Sequence, residues 1–266
     1  MKIERHVPGA PCWVDLATTD QAAAKAFYGG LFGWSYEDVP MDEAGQQHYS
    51  MASLDGSYAA AICTQQEEQR QMGIPPHWSV HLTVEDVDAT AGRVSGLGGT
   101  LVMEPFDVFE SGRMAVLSDP AGAAVALWQP RNHVGAGVKY EPGAMVWCEL
   151  MTTDPEAATT FYTELLGVQS ERQTMEHGVE YTVLMAAGMP AAGLMALPDE
   201  LRAMQIPSHW SVYFQVADVD ASVASVTAAG GAVNMPPTDI ATVGRIASVS
   251  DPQGAGLGLM VPESTD

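Results

Sequence analysis

His77-Trp78-Ser79-Val80 returns 132 positions later as His209-Trp210-Ser211-Val212, and this echo constrains the fold more than any other feature of the chain. Each copy opens an apolar, β-prone run, Trp78 to Val84 and Trp210 to Val216. Each run stops at acidic residues, Glu85-Asp86-Val87-Asp88 and Asp218-Val219-Asp220, that suit the N-caps of following helices. The match extends further. At a shift of 134, Trp13 meets Trp147, Thr18-Thr19-Asp20 meets Thr152-Thr153-Asp154, and Phe27-Tyr28 meets Phe161-Tyr162. At a shift of 132, Gly112-Arg113 meets Gly244-Arg245 and Ser118-Asp119-Pro120 meets Ser250-Asp251-Pro252. Solenoid repeats recur every ~20–50 residues, so a period this long makes each copy a globular unit. The 266 residues are expected to divide at 1–133 and 134–266, each part large enough for its own core.

A fainter echo lies inside each half. Trp13 to Asp20 lines up with Ser79 to Asp86, and Trp147 to Asp154 with Ser211 to Asp218, so the chain reads as four related quarters. Residues 12–19 alternate as a strand with Trp13, Asp15 and Ala17 on one face and Cys12, Val14 and Leu16 on the other. Asp20 caps a helix from Gln21 to Leu31, which Gly33 ends in the left-handed conformation. Strands near 34–39, 47–54 and 58–64 complete a βαβββ unit. The second unit has a strand at 78–84, a helix at about 87–97, a strand at 100–104 and a hairpin near 112–128. Asp119-Pro120-Ala121-Gly122 fits a type I turn inside that hairpin.

Several function classes fall away on composition. No run of about 18 apolar residues could span a membrane, and Met1 to Pro11 has no apolar core of a signal peptide, so a cytoplasmic location is expected. Cys12, Cys63 and Cys148 are odd in number and widely spaced, which suits reduced core residues rather than disulfides or a zinc knuckle. A net charge of −22 repels phosphate backbones and anionic lipid, so neither nucleic acid nor membrane is expected as a partner. The chain is expected to act as a monomer or homodimer.

Three blocks carry a family resemblance: the strand leading to Thr-Thr-Asp, Phe-Tyr and Leu-Phe-Gly; the Val-x-Asp-Val-Asp block; and Gly-Arg followed by Asp-Pro-x-Gly. Together they resemble the vicinal oxygen chelate superfamily, which includes glyoxalase I, extradiol dioxygenases and bleomycin-resistance proteins. The tandem glyoxalase-like proteins of actinobacteria look most similar. The resemblance implies an α+β fold of two tandem glyoxalase-like domains, each of two βαβββ units forming a curled mixed-sheet cup with helices outside. It also implies a divalent metal on the cup floor. Family ligands fall seven residues before the capping Asp of each unit and seven after the Asp of the Asp-Pro-x-Gly turn. Those positions hold Trp13, Ser79 and Ala126 in the first half and Trp147, Ser211 and Gly258 in the second. None is a usual ligand for iron, zinc or nickel, so no metal and no cofactor are expected.

Strand parity names the other floor residues. Asp15 and His81 stand two residues beyond lost ligand positions, and their counterparts are Glu149 and Tyr213. An acid and an imidazole in one cup, or an acid and a phenol in the other, could share a proton as catalytic groups. Alternatively, Asp15 and Glu149 hydrogen-bond backbone or arginine at the domain seam. Trp13 and Trp147 either offer flat apolar floors for a planar ligand or fill the emptied cups as core. Ser79, Ser211 and Trp128 complete the candidate ligand-binding set, with His48 and His177 placed to close over a cup. The leading expectation is a metal-independent binder of an aromatic or hydrophobic natural product, acting in sequestration or self-resistance. The alternative is a metal-free enzyme of natural-product biosynthesis, performing a cyclisation, epimerisation, hydration or hydroxylation-assisting step. A metal-dependent dioxygenase or glyoxalase comes third.

Overall fold

The computed structural model describes residues 1–41, 47–175 and 178–263. The first half runs β1 (Pro11–Thr18), α1 (Gln21–Phe32), β2 (Ser35–Pro40), β3 (His48–Leu54), β4 (Ser57–Thr64), α2 (Glu67–Gln71), β5 (His77–Thr83), α3 (Val87–Ala91), β6 (Thr100–Val108), β7 (Gly112–Ser118) and β8 (Ala124–Pro130). The second repeats it as β9 (Met145–Thr152), α4 (Pro155–Leu166), β10 (Gln169–Thr174), β11 (Glu180–Ala186), β12 (Met189–Ala196), α5 (Asp199–Ala203), β13 (His209–Gln215), α6 (Val219–Ala228), β14 (Ala232–Ile240), β15 (Gly244–Ser250) and β16 (Gly256–Pro262). Each half makes one open, eight-stranded mixed sheet, in the orders β2-β3-β4-β1-β5-β8-β7-β6 and β10-β11-β12-β9-β13-β16-β15-β14. Within each sheet two βαβββ units meet where their first strands run antiparallel, β1 with β5 and β9 with β13. Each first strand also pairs in parallel with the last strand of its own unit. This is the expected α+β architecture.

The four capping aspartates act as their positions imply. Asp20, Asp86, Asp154 and Asp218 each accept a hydrogen bond from the amide three residues on, worth about 1 kcal/mol apiece. Gly33 closes α1 at φ 73°, a conformation that costs glycine little. One expectation fails in part: the helix read over 87–97 is only α3 plus a separate 3₁₀ turn at Ser95–Leu97, whereas its counterpart α6 is continuous. Gly92 and Gly96 interrupt the first version, while Val219 to Ala228 contains no glycine to loosen the second.

Alternation then sorts the strand residues into two faces. Gln21 of α1 bonds Ser50 Oγ, and Trp78 Nε1 donates to the Tyr28 hydroxyl of α1, so Ser50 and Trp78 mark the helix-covered face. The opposite face holds Trp13 beside His81, Asp15 between Ala61 and Ser79, and Ala126 beside His81. The halves meet through the helix-covered faces. Phe214 packs on Phe32, Trp34 and Trp78 with ring centroids 4.9, 5.5 and 5.1 Å away, and its complete burial contributes roughly 2–3 kcal/mol. The seam between the halves is thus largely aromatic. After β8 the chain returns over the first sheet, with Ala136 N donating to Cys12 O and Gly137 N to Tyr58 O. The N-terminus fastens this strap through Ile3 N to Gly137 O and His6 Nε2 to Ala136 O. Among the described residues no helix is long and apolar enough to cross a membrane.

Candidate functional site

The first floor is a connected polar network rather than a bare cup. Trp13 Nε1 donates to the Tyr49 hydroxyl at 2.8 Å, and that hydroxyl donates to Asp15 Oδ2 at 2.8 Å. His81 Nε2 lies 3.1 Å from the same carboxylate oxygen. A carboxylate can only accept, so Nε2 carries the hydrogen and Nδ1 is left with the lone pair in the neutral ring. That Nδ1 is buried and has no partner. Burial pushes the Asp15 carboxyl up, but the His81 imidazole and hydrogen bonds from His81, Tyr49 and Ser79 outweigh it and hold the group below its ordinary value. The acid and imidazole foreseen from parity therefore converge, and Asp15 bonds floor side chains rather than the domain seam.

Above this floor sits His133, carried by the strap. Its ring stands edge-on to Trp13 at 4.6 Å and to Trp128 at 5.9 Å, while Trp128 Nε1 donates to the His133 carbonyl at 3.0 Å. Burial, with the nearby His81 adding to it, lowers the His133 pKa to about 4. Its Nε2 has no partner. Trp13 and Trp128 are consequently 3% and 5% exposed, packed beneath the strap.

The second floor repeats the relay with different chemistry. Trp147 Nε1 donates to Tyr181 OH at 2.9 Å, Tyr181 to Glu149 Oε2 at 2.7 Å, and Tyr213 to Glu149 Oε1 at 3.2 Å. Without an imidazole, burial dominates and raises the Glu149 pKa, which the two phenol hydrogen bonds only partly offset. Two glycines make room for the phenols. A Cβ at Gly193 would fall 1.8 Å from Tyr181 Oη, and one at Gly258 would fall 2.1 Å from Tyr213 Cδ1. The side of this sheet away from the helices is also more open. Trp147, Met151, Val183, Tyr213 and Met260 are half-buried where their counterparts Trp13, Ala17, Met51, His81 and Trp128 are buried.

The remaining sequence candidates sort as follows. Ser79 and Ser211 are half-buried on the floors beside Asp15 and Glu149. His48 begins β3 in step with Ser50, which places it on the helix-covered face, away from Asp15 and His81. His177 lies outside the described residues. Tyr49, Tyr181 and His133 belong to the floors but were not among the sequence candidates. The two tyrosines recur at the 132 shift and could have been found that way, whereas His133 sits in the linker outside any repeat. Cavities of about 490 and 280 Å³ lie away from both floors, one between α4, β10–β12 and α5 and one between α1 and α6.

A family metal does not fit these floors. Position 258 is a glycine under the Tyr213 ring, position 126 an alanine, and Asp15 and His81 are engaged with one another. Among the described residues no three His, Cys, Asp or Glu side chains are grouped to hold a metal ion.

The duplicated sheets and their floors can be set beside known proteins. The chain is 44% identical over 261 residues to CFP32, a candidate glyoxylase of Mycobacterium tuberculosis, covering 98% of both. It is 38% identical over 266 residues to the anthracycline biosynthesis protein DnrV of Streptomyces peucetius, covering 96% of this chain and 94% of that one. The fold matches the Mn(II)-bound glyoxalase from Novosphingobium aromaticivorans with a TM-score of 0.63 at 16% identity, over 95% of this chain and 82% of that one. The family profile described as Glyoxalase/Bleomycin resistance protein/Dioxygenase superfamily matches twice, over residues 12–127 and 144–259. The chain belongs to that superfamily, as two tandem glyoxalase domains.

Proposed function

We propose that this chain is a metal-independent small-molecule binding protein that holds an aromatic or hydrophobic natural product, in sequestration or self-resistance, against the open face of its second sheet. The observation that carries this reading is the half-buried surface of Trp147, Met151, Val183, Tyr213 and Met260, where the first half is closed by its strap. Thioether and aromatic side chains together make an adaptable apolar surface that a planar molecule can cover. The relative named for anthracycline biosynthesis supports a polycyclic aromatic ligand. Calorimetric titration with a hydroxylated anthraquinone tests it: Trp147→Ala should weaken binding about tenfold or more. Unchanged affinity in that variant, or no binding by the parent, overturns the reading.

A second reading is supported by one feature, the Asp15–His81 pair, whose buried imidazole has an unpartnered Nδ1. Such an imidazole, oriented by a carboxylate, is equipped to take a proton from a bound substrate. Under this reading the chain is a metal-free enzyme of natural-product biosynthesis. Ligand entry to the first floor then requires the strap bearing His133 to move aside.

A further inference from the structure

The internal repeat leaves an unfilled space on the helix-covered face of the second sheet. In the first half, the side chain of Gln21 fills the space between α1 and the sheet. Its Nε2 donates to His48 O at 3.0 Å, Ser50 Oγ at 2.9 Å and Ile62 O at 2.8 Å, while its Oε1 accepts from Thr64 Oγ1 at 3.2 Å. In the second half the residue in step with Gln21 is Pro155, which has no such side chain, and the corresponding space is the 490 Å³ cavity. Thr182 and Leu194, the counterparts of Ser50 and Ile62, line it. Thr182 is 7% exposed, and its hydroxyl makes no hydrogen bond among the described residues. The acceptors for a nitrogen donor are thus retained and their donor is gone.

The missing partner also has a definable charge. Thr64, which satisfied the Gln21 carbonyl, is replaced by Ala196, so the donor that meets an amide oxygen in the first half is missing here. Glu156, Glu180 and Asp199 line the cavity, and Arg172, the one basic residue among its described lining residues, is paired with Glu156. A group that carries several N–H donors, no acceptor and a positive charge meets each requirement. Leu197, Pro155 and Pro198 supply apolar wall beside it. We infer that this cavity binds the primary ammonium group of an amine whose body is apolar. The site is independent of the face proposed above for the aromatic ligand.

Benzylammonium and benzyltrimethylammonium, which share a ring and a charge but differ in N–H donors, are suitable probes in an amide-resolved NMR titration. Benzylammonium should shift the amides of Thr159, Thr182 and Leu194 in a saturable manner, and the trimethyl analogue should bind at least tenfold more weakly. Pro155→Gln, which restores the plug of the first half, should abolish the response. Thr182→Val, which keeps shape and removes the acceptor, should weaken it about tenfold, and it remains informative if the first variant folds poorly. Equal binding of both probes, shifts confined to other residues, or an unaltered response in Thr182→Val would overturn the assignment.

Discussion

Tyr28 of the first half donates its hydroxyl hydrogen to Asp251 of the second at 3.0 Å, and Tyr162 of the second returns the bond to Asp119 of the first at 3.3 Å. Each tyrosine oxygen also accepts from a tryptophan, Trp78 at 3.2 Å and Trp210 at 3.0 Å. The other oxygen of each aspartate holds two amides of its own turn. Three repeated motifs, Phe-Tyr, His-Trp-Ser-Val and Asp-Pro-x-Gly, are therefore parts of one relay that crosses the seam in both directions. Their recurrence reflects the joining of the halves as much as the floors.

Removing either tyrosine hydroxyl strands a buried aspartate oxygen and an indole N–H. Tyr28→Phe and Tyr162→Phe should each lower stability by about 1–3 kcal/mol in denaturant titrations, with little change in the ring packing at the seam. A cost below about 0.5 kcal/mol in both would show that water replaces the relay.

The same aspartates set a pH dependence of definite sign. Burial is the largest influence on Asp119 and Asp251 and raises both pKa values in the folded chain, with the turn amides and tyrosines opposing it. A carboxyl that is harder to ionise when folded stabilises most below its unfolded pKa and loses that contribution as pH rises through the folded value. Asp251→Asn should accordingly flatten the pH profile of stability just above the ordinary aspartate range. The difference between parent and variant unfolding free energies measures it.

The strap over the first floor should respond in the opposite direction. Burial lowers His133 and His6 to about 4, so both are protonated in the unfolded chain before they are in the folded one. Their contribution is intact above the unfolded value of 6.5 and is lost as pH falls toward 4, on the order of 2–3 kcal/mol per histidine. His133→Gln should remove much of that acid-induced loss. Amide exchange across residues 131–139, compared at neutral and mildly acidic pH, would locate the opening in the strap or place it elsewhere.

Much of the fold was legible because it was written twice. The caps at Asp20 and Asp154, the Gly33 stop and the Asp119 turn each depend on a local residue type with a local partner, and sequence spacing reports such partners directly. The convergence of Asp15 with His81 followed from parity once both were counted from the ligand positions that the family resemblance implies. Tyr49 reaches the floor from β3 and was signalled only by its recurrence as Tyr181, whereas His133 reaches it from the linker, an approach that nothing in the repeat or in local spacing encodes. The openness of the second floor was equally hidden, since it depends on what covers the sheet rather than on the strand residues themselves.

The choice between binding and catalysis rests on Asp15, whose carboxylate fixes which nitrogen of His81 carries hydrogen. Asp15→Asn keeps the shape, removes the charge and, if its amide nitrogen turns toward His81, forces the other tautomer and withdraws the Nδ1 lone pair. A protein that holds its ligand on the second sheet should bind the anthraquinone probe within about twofold of the parent, because Glu149 and Trp147 are untouched. An enzyme working on the first floor should lose turnover by about 10²–10⁴ with affinity little altered. His81→Gln should reproduce the loss in the second case and be neutral in the first, which separates removal of the base from simple loss of a buried charge. Trp13→Ala gives a third comparison, since it breaks the donor to Tyr49 and the contact with His133 together. If both floors are silent and neither tryptophan change alters affinity, the assignment of the ligand to either floor is wrong.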